Sequence, residues 1–165
     1  MGAGIHGGFG NTHGAAVPGD AIYKSEPKLY FDYIKNRRDI DRNGVYDVVA
    51  HGKDAIIQIE HNGQTIDIDS RTASKLLSRR SDYKRGQSIR LLSCDTGASA
   101  TGFAQNLANK LNVVVEAPTK LVWAYPDGKY IVASRNPKNP NTPNLKDLGK
   151  FVKFYPGGRK NERKR

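Results

Sequence analysis

Ile89-Arg90-Leu91-Leu92-Ser93-Cys94-Asp95-Thr96-Gly97 is a short apolar run that ends at a cysteine followed by turn residues. A run of that length, bounded by turn-formers, reads as a strand buried in a sheet. Val45 to Ala50 has the same character and ends at His51-Gly52, and Val113-Val114-Val115 supplies a third such strand. Helical spacing separates the second strand from the third. Phe103, Ala104, Leu107, Ala108 and Leu111 share one face, with Ser99 or Thr101 expected as cap and Asn112 as the closing residue.

Working outward, Ile56, Ile57 and Ile59 face Ile66 and Ile68 across His61-Asn62-Gly63-Gln64, a hairpin signal. Asp69 or Ser70 can cap a helix running to about Arg80, with Ala73, Leu76 and Leu77 inward. Residues 25–36 predict an earlier helix, with Ser25 as cap, Pro27 in the first turn, and Leu29, Tyr30, Tyr33 and Ile34 on one face. Leu121–Tyr125 and Lys129–Ala133 flank Pro126-Asp127-Gly128 as a second hairpin. The proline- and asparagine-rich stretch 136–144 reads as a loop. The order strand, hairpin, helix, strand, helix, strand predicts an α/β sandwich whose central sheet is partly parallel and flanked by helices.

The chain has 165 residues, enough for one domain with a core of its own. The glycine-rich segment 1–20 reads as a linker, 21–158 as the single folded domain and 159–165 as a basic tail. One cysteine excludes an internal disulfide and a multi-cysteine zinc cluster. No apolar run is long enough to cross a bilayer, and Met1-Gly2-Ala3-Gly4 does not open a secretory signal. The net charge of +11 is compatible with a nucleic acid, an anionic membrane or a polyphosphate, although removing the tail lowers it to +7. His6 and His13 on the linker read as solvated, not as metal ligands. Asp39-Ile40-Asp41-Arg42-Asn43-Gly44 has the alternating oxygens of a calcium loop, but Ala50 stands where the closing Glu belongs. An Asn-Gly turn into the strand is the simpler reading.

The chemistry concentrates at two strand ends. In an open parallel sheet, sites form beyond the carboxyl ends of strands, and His51 and Cys94 each stand at such an end. If the two strands are neighbours, an imidazole and a thiol face one crevice, where the base can turn the thiol into a nucleophile. A helix starting near Ser99 is expected to aim its positive end at the sulfur. Gly52 and Gly97 leave room for a substrate carbonyl. The competing reading makes Cys94 a small buried hydrophobe and His51 a structural or surface residue.

These residues carry a resemblance. Val48-Val49-Ala50-His51-Gly52 and Ile89 to Gly97 resemble the His-Gly and strand–Cys motifs of caspase-like (clan CD) cysteine peptidases, above all the self-cleaving protease domains of large bacterial toxins. The 43-residue spacing, with a hairpin and a helix between, is similar too. Ala117-Pro118-Thr119, the glycine-rich arm and Phe154-Tyr155-Pro156-Gly157-Gly158 resemble the C-terminal domains of bacterial polymorphic toxins. Where a caspase has Gln-Ala-Cys before a glycine, this chain has Leu92-Ser93-Cys94-Asp95.

The resemblance implies a caspase-like sandwich, with Cys94 as nucleophile, His51 as acid–base group and the backbone N–H groups of Gly52 and Cys94 as oxyanion donors. It further implies a protein substrate, an immunity protein as partner, and delivery into a target cell as part of a larger toxin. No cofactor is expected beyond a polyanion activator, for which Arg71, Lys75, Arg79, Arg80, Lys84 and Arg85, with Asp95 beside the thiol, are the candidate contacts. A solvated helix face explains the cations equally well. Two rival functions remain: a nuclease toxin that binds RNA or DNA through its basic surface and uses His51, His61 or Asp95, and a non-catalytic binding module.

Overall fold

The structure, a computed structural model, describes residues 27–158 apart from 42–43 and 62–63. The expected linker with His6 and His13, the helix cap Ser25, the turn residues Asn43, Asn62 and Gly63, and the basic tail lie outside the described residues.

Helix α1 (Pro27–Ile34) is followed by β1 (Val45–Val49), β2 (Ile57–His61), β3 (Gln64–Ile68), α2 (Ser70–Ser78), β4 (Ser88–Leu92), α3 (Phe103–Leu111), β5 (Val115–Pro118), β6 (Leu121–Ala124), β7 (Tyr130–Asn136), β8 (Asn139–Leu148) and β9 (Phe151–Phe154). The central sheet has the order β1-β4-β5-β9. β1, β4 and β5 run parallel and β9 is antiparallel to β5. The mixed α/β class with a partly parallel sheet is therefore the observed one.

The pleat divides the sheet into two faces. Tyr46, Val48 and Ala50 of the first strand, Ile89 and Leu91 of β4, and Val115 and Ala117 of β5 join one core with α2, α3 and the β2–β3 hairpin. Leu77 and Leu107 are fully buried there, and each such side chain contributes about 1.5–3 kcal/mol relative to exposure. Asp69 caps α2 by accepting from Thr72 N at 2.9 Å, as its position predicts. Asn112 closes α3 in the left-handed conformation (φ 57°), which asparagine tolerates.

The other face carries Val49, Leu92 and Cys94 against Tyr30, Phe31 and Ile34 of α1 and Val122, Trp123, Ala124 and Ala133 of β6 and β7. Here the structure departs from the expected hairpin plus loop. Residues 139–148 form β8, which pairs with β7 through an irregular register. Pro140 and Pro143 mark turns in a sequence, but an edge strand tolerates them because one side of it needs no donors. Two further corrections concern α3. Its N-cap is Gly102, with no side-chain hydrogen bond, in place of Ser99 or Thr101. β5 begins two residues later than the valine run, because Val113 still bonds back to Ala108 O.

Candidate functional site

Parallel pairing of Val49 with Leu92 sets the site. Two residues beyond each partner stand His51 and Cys94, at equivalent levels past the carboxyl ends of adjacent strands. The two segments pack without a gap. A Cβ on Gly52 would lie 2.8 Å from the Cys94 carbonyl oxygen, 2.9 Å from Ser93 Cβ and 2.9 Å from Thr96 Cγ2. Only glycine fits, so the His51-Gly52 pair rests directly on the turn that carries the cysteine.

That turn is held from the far side. Asp95 adopts φ 62°, its N–H donates to Lys120 O at 3.0 Å, and Gly97 N donates to Pro118 O at 2.8 Å. Thr96 Oγ1 donates to Ser93 O at 2.8 Å. By contrast, the N–H of Gly52 donates to no backbone acceptor among the described residues, and the N–H of Cys94 is turned to its own Sγ. They are the two donors the caspase-like resemblance would assign to an oxyanion.

Cys94 is 1% exposed. Its Sγ accepts from Val122 N at 3.2 Å and lies 4.0 Å from Val122 O. Burial pushes the thiol up to about 12; the Val122 N–H pulls the other way, and the nearby Asp95 carboxylate adds to the rise. The helix dipole does not help the thiolate, contrary to the expectation from sequence. α3 starts at Phe103, and its first two N–H groups are taken by Asp54 O at 2.9 Å and Thr96 O at 3.0 Å. Its core is also the one on the opposite face of the sheet from Cys94.

His51 is half-buried, with Nδ1 enclosed, and its carbonyl accepts from Gln58 N at 2.9 Å. Asp95 is half-buried. Desolvation raises its carboxyl and the Asp54 charge adds to that, while Arg135 opposes both. Ser93 Oγ is buried with no hydrogen-bond partner among the described residues.

The expected polyanion contacts divide. Arg71, Lys75, Arg79, Lys84 and Arg85 are exposed on α2 and the loop after it. Arg80 turns inward to bond Asp82 at 2.9 and 3.0 Å, with Tyr46 OH on the same carboxylate, so it is a structural ion-pair residue.

A second polar group escaped the sequence reading. Arg37 and Arg90 both grip Asp47, at 2.9–3.0 Å and 2.6–2.9 Å, in the buried layer under α1. Arg90 Nη1 continues to Asp39 and to Tyr130 OH, and Tyr130 in turn donates to Asp39. Burial works to raise Asp39, but the Arg90 and Tyr130 hydrogen bonds outweigh it and hold the carboxyl low. The available signal was a charge in each of two apolar strands, Asp47 and Arg90, which demands a partner.

Residues 21–132, about two thirds of the chain, match the family described as domain of unknown function DUF8616. The chain belongs to that family. Within DUF8616 the matched region takes in both strand ends, His51-Gly52 and Ser93-Cys94, and stops inside β7, before β8 and β9. No curated protein and no solved structure matches the chain. Among the described residues no group of three or more His, Cys, Asp or Glu side chains is placed to hold a metal ion, and no helix is long and apolar enough to cross a membrane.

Proposed function

We propose that this chain is a cysteine endopeptidase domain of a bacterial toxin, with a caspase-like sandwich, Cys94 as nucleophile and His51 as its acid–base partner. The observation that carries the reading is the parallel register of β1 and β4, which brings the two residues to equivalent strand ends. The N–H of Gly52, which has no backbone acceptor among the described residues, and the N–H of Cys94, which is engaged only by its own Sγ, support it as oxyanion donors. The substrate is then a protein, the toxin is delivered into a target cell, and an immunity protein protects the producer.

The thiol is protonated and covered in the form described here, so attack requires β6 and β7 to lift from Cys94 and His51 to take the proton. The test is toxicity and proteolysis by the wild type, Cys94→Ala and His51→Ala inside bacterial and eukaryotic cells. Both variants should be inactive at equal soluble expression, and undiminished activity of Cys94→Ala would falsify the peptidase.

A nuclease is the second reading, favoured by one observation: Cys94 is fully buried while His51 and Asp95 are only half-buried. A nuclease needs no thiol. In that case Cys94→Ala keeps its toxicity, and His51→Ala or Asp95→Asn loses it.

A further inference from the structure

Helix α2 presents an unusual charge pattern. Arg71, Lys75 and Arg79 follow one another at steps of four, so they form a line along one exposed face. At 1.5 Å per residue that line is about 12 Å long. Lys84 and Arg85 are exposed on the loop that follows α2, and Arg85 shares a cleft with Ser78 of α2 and with Lys110 from the last turn of α3. None of the six forms a salt bridge among the described residues, although other surface cations of this chain do. Two carboxylates lie near the line: Asp82, which Arg80 and Tyr46 already occupy, and the N-cap Asp69, which lies within the electrostatic reach of Arg71 alone among the six.

Helix stability does not account for the line. Lys75 and Arg79 suit the negative end of α2, but Arg71 sits in its first turn, where the dipole opposes a cation. Like charges four residues apart also repel. Ser78, the neighbour of Arg79 in sequence, helps wall a cleft of about 500 Å³ with Tyr83, Arg85, Lys110, Leu111 and Asn112.

We propose that the outer face of α2, the 84–85 loop and the end of α3 form a docking surface for the phosphate backbone of a nucleic-acid strand. Arg71, Lys75 and Arg79 lie in a row along α2, apart from the cleft that Arg85 and Lys110 share, and a spread of cations over both suits an extended polyanion over a compact one. Base reading is not part of it. Tyr83, the aromatic residue at the cleft, is buried against Tyr46 and its hydroxyl donates to Gln87 O, so its ring is not offered for stacking. Binding therefore rests on phosphates and is independent of sequence. The surface belongs to a different part of the molecule from Cys94, and the inference stands whether or not that thiol reacts.

The test measures binding of a labelled, mixed-sequence RNA strand to the full chain over a range of salt concentrations. R71Q/K75Q/R79Q should bind about tenfold more weakly or worse, with a log–log salt slope smaller by about 2, since each lost phosphate contact removes roughly 0.7. Its melting temperature should not fall, because all three side chains are exposed and their neutralisation relieves the repulsion along α2. K138Q/K146Q/K150Q removes the same charge from exposed positions elsewhere and should retain most of the affinity and slope. Equal weakening by the two triple variants would reduce the effect to net charge and overturn the proposal. So would unchanged binding by R71Q/K75Q/R79Q, with the affinity lost instead on neutralising the cations of residues 159–165. Displacement of the RNA by inositol hexakisphosphate as readily as by an unlabelled strand, at equal phosphate concentration, would overturn the extended ligand in favour of a compact one.

Discussion

Cys94 should be nearly inert towards alkylation in the native protein. Burial beneath β6 and β7 sets its thiol at about 12. At pH 8 a thiol with pKa about 12 is ionised in about one molecule in ten thousand, against about one in four for an exposed cysteine with pKa about 8.5. Only the thiolate reacts, so the native rate should be about two thousandfold below that of the unfolded chain, before any steric barrier is counted. Iodoacetamide labelling followed by intact mass is unambiguous because the chain has a single cysteine. Native labelling within about tenfold of the denatured rate would refute the reasoning, since it would mean that burial does not govern this thiol. The same shift carries a pH dependence. The folded pKa lies above the unfolded one, so the unfolded chain gives up its proton first. The stabilisation from this group is whole below about 8.5 and is lost as pH rises towards about 12. A denaturant midpoint that holds constant across that window in the wild type, compared with Cys94→Ala, would contradict it.

Other substitutions probe the frame of the site. Asp47→Ala leaves the guanidiniums of Arg37 and Arg90 facing each other in a buried layer, and should cost about 3–5 kcal/mol in urea unfolding. Arg90→Met should cost less, because Arg37 still neutralises Asp47; the reverse order would show that Arg37 does not hold the carboxylate. Gly52→Ala drives a methyl into the Cys94 carbonyl, Ser93 and Thr96, and should lose about 1–3 kcal/mol together with any activity that depends on the His51–Cys94 spacing. An unchanged melting temperature would mean that the two strand ends are not in contact.

Much of this architecture was legible in the residues themselves. Val45–Ala50 and Ile89–Ser93 are mostly apolar, each with one charged residue, long enough to be strands and too short to be helices, and the strands end one residue before the positions read, at Val49 and Leu92. Asp69 and Asn112 mark helix ends because their side chains and backbone preferences act within one turn. Local chemistry of that kind needs no knowledge of neighbours.

Tertiary packing decided the remainder. Phe151 to Phe154 is a strand only because β5 offers it an edge, and 139–148 is a strand only because β7 does. Cys94 looks alike in sequence whether it lines an open crevice or lies under a sheet. The covering residues Val122, Trp123 and Ala133 come from 28 to 39 positions later in the chain. Likewise, Asp47 and Arg90 each announced a buried charge, but their mutual hydrogen bonds follow from the register of β1 on β4, where they are direct partners. Periodicity and capping act within a few residues, so sequence determined the helices and the inner strands to within a residue or two of their ends. Burial, charge pairing and the state of the thiol depend on which distant segments meet, and the tertiary structure decided those.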